Sequence, residues 1–117
     1  MPLSLGLRDE ENERINNILG KLMELTFVPD GWLTDDAQSL LTQIGLSYES
    51  LDAMTGEELN RHVTKMHFDW ANMERLADMF STNPAFRAKA VSLYNFIQAE
   101  SKMFSFDIFN KINALNK

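Results

Sequence analysis

Residues 34–59 read TDDAQSLLTQIGLSYESLDAMTGEEL, and helix start and stop signals follow one another along this stretch. Thr34 is a predicted N-cap for a helix over 35–44, because its side-chain oxygen can accept a hydrogen bond from a free N–H group of the first turn. Gly45 suits the left-handed residue that ends such a helix, and Leu46 would pack back on it in a Schellman motif. One complete helix is therefore predicted from this stretch alone.

Two further helix starts follow within the same stretch. Ser47 is the predicted N-cap of a short helix over 48–53. Thr55 and Glu58 have the spacing of a capping box, in which each side chain accepts a hydrogen bond from the other residue's backbone N–H. This box predicts a helix over 56–66, which is the fourth of the chain when the helix predicted over 9–26 is counted.

The same signals continue outward to both ends of the chain. Apolar residues at three- and four-residue spacing predict the remaining helices, and Asp69, Asn83 and Ser105 precede three of them as N-caps. The helix before Asn83 should pack Trp70 inward, and the helix after it is apolar on two sides and should be central. No stretch alternates as a strand would. The expected fold is all-α, a single-domain bundle of six or seven antiparallel helices over residues 1–117, with these further helices at 9–26, 70–81, 84–102 and 106–116.

Composition excludes several classes of function. The 117 residues contain no Cys, which excludes a disulfide framework, a thiol nucleophile and a cysteine metal site. The glycines stand singly, so no phosphate-binding loop is present. No apolar run is long enough to span a membrane, and residues 1–7 lack the pattern of a secretory signal. We therefore expect a cytoplasmic protein that is not an enzyme and holds no cofactor or metal.

Charge is distributed unevenly along the chain. The formal net charge is −6, and no Lys or Arg occurs from residue 22 to residue 60. This region would repel nucleic acid and attract a basic partner protein. The predicted acidic surface uses four of its carboxylates, which are those of Asp35, Asp36, Glu49 and Asp52.

Aromatic residues supply the other predicted partner contacts. Trp32 follows an Asp-Gly pair in a loop and could anchor an interface, as buried Trp often does. Phe106 and Phe109 either fill the core or form an exposed docking patch near the C-terminus. The exposed arrangement would give a homodimer or a seat for a partner helix, and a homo-oligomeric structural subunit is an alternative function.

Residues 36–52 resemble the helix-turn-helix motif of DNA-binding proteins, with a Gly-Leu-Ser turn between two helices. The resemblance implies DNA binding through the second helix. That helix would offer Tyr48, Glu49, Ser50 and Asp52, whereas base and phosphate recognition needs donors such as Arg or Lys. Because the second helix lacks these donors, we expect protein binding and give DNA binding as the alternative function.

Residues 70–116 resemble a tetratricopeptide-repeat hairpin. The residues that carry this large–small–large pattern are Met73, Leu76, Ala77, Phe80, Ala90, Tyr94 and Ile97. The resemblance implies close helix packing at Ala77 and Ala90 and a protein-binding concave surface. The whole chain also resembles bacterial helical proteins of uncharacterised role, which implies a helical fold and no particular mechanism.

Glu58 and His62 lie four residues apart and so share one face of the fourth predicted helix. They could form an acid–base or metal site, but one helix supplies at most two ligands, whereas a catalytic zinc needs three. The expected arrangement is a surface pair of these two side chains.

Overall fold

A computed structural model describes residues 3–26 and 29–116, with side chains from 10–26 and 30–116. These residues form seven α-helices and two short 3-10 helices and contain no strand, which confirms the all-α class. The α-helices are α1 (Leu3–Thr26), α2 (Asp35–Gln43), α3 (Tyr48–Ala53), α4 (Gly56–Lys65), α5 (Trp70–Ser81), α6 (Arg87–Glu100) and α7 (Phe106–Leu115), and the 3-10 helices are Pro29–Leu33 and Pro84–Phe86.

The predicted N-caps of five helices are confirmed. Each accepts a hydrogen bond from a backbone N–H in the first turn, and these residues are Thr34, Ser47, Thr55, Asp69 and Ser105. The capping box is also confirmed, since the Glu58 N–H donates to Thr55 Oγ1 and the Thr55 N–H donates to Glu58 Oε1. A second box, which the sequence analysis missed, joins Ser47 and Ser50.

The Schellman motif predicted at the end of α2 is confirmed. Gly45 has a φ of 74°, in the left-handed region. Its N–H donates to the Thr42 carbonyl, and the Leu46 N–H donates to the Leu41 carbonyl at 2.9 Å. Both leucines are buried, which is the apolar contact expected of this motif.

The end of α4 repeats this motif without a glycine. His67 has a φ of 63°. Its N–H donates to the Thr64 carbonyl and the Phe68 N–H donates to the Val63 carbonyl, both at 3.1 Å. A left-handed histidine is sterically costly, so the surrounding hydrogen bonds and the burial of Phe68 hold it there.

The 3-10 helix Pro29–Leu33 follows α1, and residues 27–28 between them lie outside the described residues. Gly31 is required in it, because a Cβ there would lie 1.6 Å from the Leu25 carbonyl oxygen. This close approach of two backbone segments places Trp32 against the core and leads directly to the Thr34 cap, whose hydroxyl donates to the Gly31 carbonyl.

The helix predicted over 84–102 is shorter than expected. The Phe86 N–H donates to the Asn83 carbonyl, three residues back, which closes a 3-10 turn over 84–86. The α-helix begins at Arg87 and ends at Glu100, and Lys102 then has a φ of 61°. At the other end of the chain, α1 begins at Leu3 and not at residue 9.

The core lies around α6, which packs against α4, α5 and α7 and is central as predicted. Helices α5 and α6 form the most extensive pair, and Ala77 and Ala90 are completely buried. Helix α1 packs on α5 and α2, and the buried Asn72 amide donates to Asn12 on α1. No described helix has the length and apolar character needed to cross a bilayer.

Trp70 departs from the predicted inner face of α5. Its side chain is 42% exposed, and its ring lies 6.2 Å from that of Phe96. Trp70 is the first residue of α5, and its ring packs against Phe96 near the C-terminal end of α6 while the rest of the side chain stays open to solvent.

Candidate interaction surfaces

The four predicted acidic residues are all exposed. Asp35 and Asp36 lie in the first turn of α2, and Glu49 and Asp52 lie on α3. Among the described residues, the ion pairs are those of Lys111 with Glu74 and Asp78, so none of these four acidic residues forms one. Their charges are therefore available to a partner.

A single side chain brings the two acidic helices together. Gln38 Nε2 on α2 donates to the Trp32 carbonyl at 3.0 Å, and its Oε1 accepts from the Tyr48 N–H at the start of α3. The 3-10 helix, the N-terminal part of α2 and the start of α3 are thus adjacent. We call the exposed carboxylates of Asp35, Asp36, Glu49 and Asp52 the acidic surface.

Trp32 does not belong to this surface. Its side chain is completely buried, and its ring lies 5.1 Å from Phe86 and 5.8 Å from Phe80. Because no part of the indole reaches solvent, Trp32 cannot contact a partner directly. Its role is to join the 3-10 helix to α5 and to the start of α6, and we correct the predicted contact accordingly.

Phe106 and Phe109 are exposed and do not fill the core. Of the two predicted arrangements, the exposed patch is therefore the one that the structure has. Phe106 is 75% exposed and Phe109 45%. Phe104, the third phenylalanine of this segment, and Met103 are exposed beside them, and the Phe104 ring lies 5.0 Å from Phe106 and 5.8 Å from Phe109. We call these four residues the 103–109 patch.

The signal for this patch is present in the helical spacing of α7. Ile108, Ile112 and Leu115 recur at four- and three-residue intervals and define the face that packs on the core. Phe106 lies off that face, and Phe109 lies at its edge.

A network of ionisable side chains from three helices was not predicted. Lys111 on α7 donates to Glu74 at 2.6 Å and lies 3.0 Å from Asp78, both on α5. Tyr94 on α6 donates its hydroxyl hydrogen to the same Asp78 carboxylate. Asp78, Tyr94 and Lys111 line a cavity of about 250 Å³ together with Ser81.

Both proton donors of this network are held in their protonated forms. Burial raises the pKa of Tyr94, and its hydrogen bond to Asp78 raises that pKa further. Burial lowers the pKa of Lys111, but the hydrogen bonds to Glu74 and Asp78 outweigh it, and the pKa of Lys111 is raised overall. The ion pairs of Lys111 join α7 to α5, and the Tyr94 hydroxyl joins α6 to the same Asp78 carboxylate.

The predicted surface pair of Glu58 and His62 is not formed. Glu58 accepts from the Thr55 N–H, and this backbone hydrogen bond lowers the pKa of the Glu58 carboxyl. The His62 Nε2 atom lies 3.0 Å from the Ile44 carbonyl oxygen at the end of α2. Each side chain thus satisfies a backbone group at a helix end. The described residues contain no group of three side chains that could hold a metal ion.

No model of a known protein family, no curated protein and no solved structure matches this chain. The surfaces and their chemistry are therefore the basis for the function proposed below.

Proposed function

We propose that this protein is a non-catalytic interaction module that binds a basic segment of a partner protein through the acidic surface. The observation that carries the proposal is the presence of four exposed carboxylates on the adjacent helices α2 and α3, within a stretch that contains no Lys or Arg. Such a field attracts a basic partner and repels nucleic acid and anionic surfaces. We also propose a cytoplasmic location, which needs no disulfide from a chain without cysteine.

The binding side chains need little rearrangement. The Thr34 and Ser47 caps fix the starts of α2 and α3, and Gln38 joins the two helices. Because the carboxylates extend from a rigid backbone, the partner's Lys or Arg side chains lose most of the conformational freedom on binding. The affinity should therefore depend strongly on salt.

The acidic surface can be tested by removing charge at matched places. One variant carries Asp35→Asn, Asp36→Asn, Glu49→Gln and Asp52→Asn, and a control neutralises the exposed or half-exposed residues Glu10, Glu11, Glu13 and Asp107. Each variant removes four of the charges that make up the net −6, which leaves −2 in both. Lys- and Arg-rich peptides are titrated against each protein by fluorescence anisotropy.

The surface variant should bind about tenfold more weakly than the wild type, since each lost rim charge contributes a few tenths of a kcal/mol. The control should stay within about twofold, because its neutralised groups lie outside the acidic surface. An equal loss in both variants would mean that overall charge alone attracts the peptide, and the proposed site would be wrong.

We also propose that the 103–109 patch pairs two copies of this chain. Multiplying its exposed fractions by about 200 Å² for each large side chain gives about 500 Å² of apolar surface per copy. Two such patches would bury about 1,000 Å², the lower limit for a specific interface. Charge also favours this surface, because residues 84–117 carry five Lys and Arg against two Asp and Glu while the whole chain is acidic. Two copies therefore repel each other least here.

A further inference from the structure

A separate cavity of about 450 Å³ lies where α1, α5, α6 and the end of α4 meet. Phe68 and Met73 form its apolar floor and are almost completely buried. Trp70 and Phe96 form one wall. None of these residues belongs to the acidic surface, so the inference below is independent of the proposed function.

The wall of the cavity is formed by two aromatic rings. Trp70 is 42% exposed although it is the largest side-chain type, and its ring is inclined at 52° to the ring of Phe96, with centroids 6.2 Å apart. Two rings inclined in this way form a corner. The face of an aromatic ring, and that of tryptophan above all, carries negative electrostatic potential and attracts cations.

The rim of the cavity is acidic. Asp69 and Glu100 line it, and the lining contains no Lys or Arg. Asp69 is fixed in position because its Oδ1 accepts from the Asn72 N–H at 2.8 Å. Glu100 is the last residue of α6, whose last turn contains no basic residue, so the negative end of the helix dipole adds to the carboxylate.

We propose that this corner binds an organic cation, with a quaternary or alkylated ammonium group on the Trp70 face and its charge beside Glu100. A methylated ammonium is apolar enough to enter an aromatic corner and keeps the charge that the rim attracts. A hydrated metal ion would keep its water and gain little from the rings. The cation could be a free solute or a methylated lysine of a protein, since both carry the same chemical group.

The two tryptophans allow the binding to be observed directly. Choline is titrated into the ¹⁵N-labelled protein while the two indole N–H signals are followed by NMR. The Trp70 signal should shift with saturation, and the signal of the buried Trp32 should not move. The uncharged isostere 3,3-dimethylbutan-1-ol should bind at least about tenfold more weakly, because it has the shape of choline without its charge.

Three variants locate the site. Trp70→Ala should abolish saturable binding, which is then followed on neighbouring amide signals, and Glu100→Gln should weaken it several-fold. Glu57→Gln removes another exposed carboxylate, one that lies outside both the cavity and the acidic surface, and should leave the affinity unchanged. Circular dichroism checks that each variant is folded, and Glu100→Gln provides a test even if Trp70→Ala unfolds.

A peptide with one trimethyllysine, compared with the unmodified peptide, distinguishes the two sources of the cation. Binding about tenfold tighter than choline, with loss on demethylation, would identify a protein side chain. Weaker binding of the peptide than of choline would identify a free solute. Equal binding of choline and its neutral isostere, or an unchanged Glu100→Gln variant, would overturn the proposal, because the corner would then be only an apolar crease.

Discussion

Two residues with the same backbone conformation end α2 and α4, but they differ in cost. Gly45 has no Cβ and enters the left-handed region freely, whereas His67 enters it against a steric penalty of about 1 kcal/mol or more. That penalty is offset by the hydrogen bonds that the His67 and Phe68 N–H groups donate to carbonyls of α4. The burial of Phe68 offsets it further. His67 is thus a strained residue shortly before the start of α5.

At this scale we predict that His67→Gly stabilises the protein by about 0.5–1 kcal/mol, because the strain is removed while both hydrogen bonds remain. Urea denaturation should show a higher midpoint with an unchanged slope. Gly45→Ala is the opposite control and should destabilise, since its φ is 74° and the new Cβ would lie 3.0 Å from His62 Cε1. A lower midpoint for His67→Gly would contradict this account.

Helix α7 is attached to the rest of the bundle by few groups. Gln98 on α6 exchanges two hydrogen bonds with the backbone of Ser105 just before α7. Beyond that cap the attachments are the buried Ile108, the half-buried Ile112 and Leu115, and the ion pairs of Lys111. An element with so few anchors should open more readily than the core helices.

At the scale of this element, Lys111→Met should cost about 0.5–1 kcal/mol, a small value because water screens a pair that is about one-third exposed. Amide hydrogen exchange should accelerate in α7 and stay unchanged in α4. Lys65→Met on α4, which removes an exposed lysine without an ion pair to a described residue, is the control. Equal exchange in α7 of both variants would contradict the role assigned to Lys111.

The same network gives a pH dependence of defined sign. The folded-state pKa values of Lys111 and Tyr94 are both raised. Their contribution to the free energy of unfolding is therefore complete below the ordinary values, about 10 for both types, and is lost as pH rises through the folded-state values. Thermal unfolding of the Lys111→Met variant should depend less on pH in that alkaline range than unfolding of the wild type.

The whole molecule combines an acidic majority with a basic C-terminal segment that carries exposed apolar side chains. The acidic surface lies on α2 and α3, and the 103–109 patch lies at the start of α7. A molecule with two different surfaces of this kind can bind a basic partner while it self-associates, because neither surface uses the residues of the other.

At the whole-molecule scale we predict a weak, concentration-dependent dimer in sedimentation velocity. Phe106→Asp should be monomeric, since the dimer would then bury two like charges in an apolar contact. Leu33→Asp changes another exposed apolar residue, 63% accessible, outside the patch, and should sediment as the wild type does. A wild-type protein that is monomeric at all concentrations, or a Phe106→Asp variant that still dimerises, would rule out the dimer.

The all-α class and the starts of most helices could be predicted from the sequence, because caps, the Schellman glycine and apolar spacing act over three to five residues. Thr34, Ser47, Thr55, Asp69 and Ser105 could be read as caps without knowledge of any distant residue. The exposure of the four acidic residues could also be predicted from the sequence, since unpaired carboxylates remain in water.

The packing of the helices determines which aromatic side chains reach the surface and which charges meet. Trp32 is buried because the approach of Gly31 to the Leu25 carbonyl places it against α5, whereas Trp70 packs only against Phe96 and stays 42% exposed. Lys111 meets Glu74 across 37 positions of the chain. Burial and pairing of this kind depend on how whole helices pack, a property that no short stretch of sequence contains.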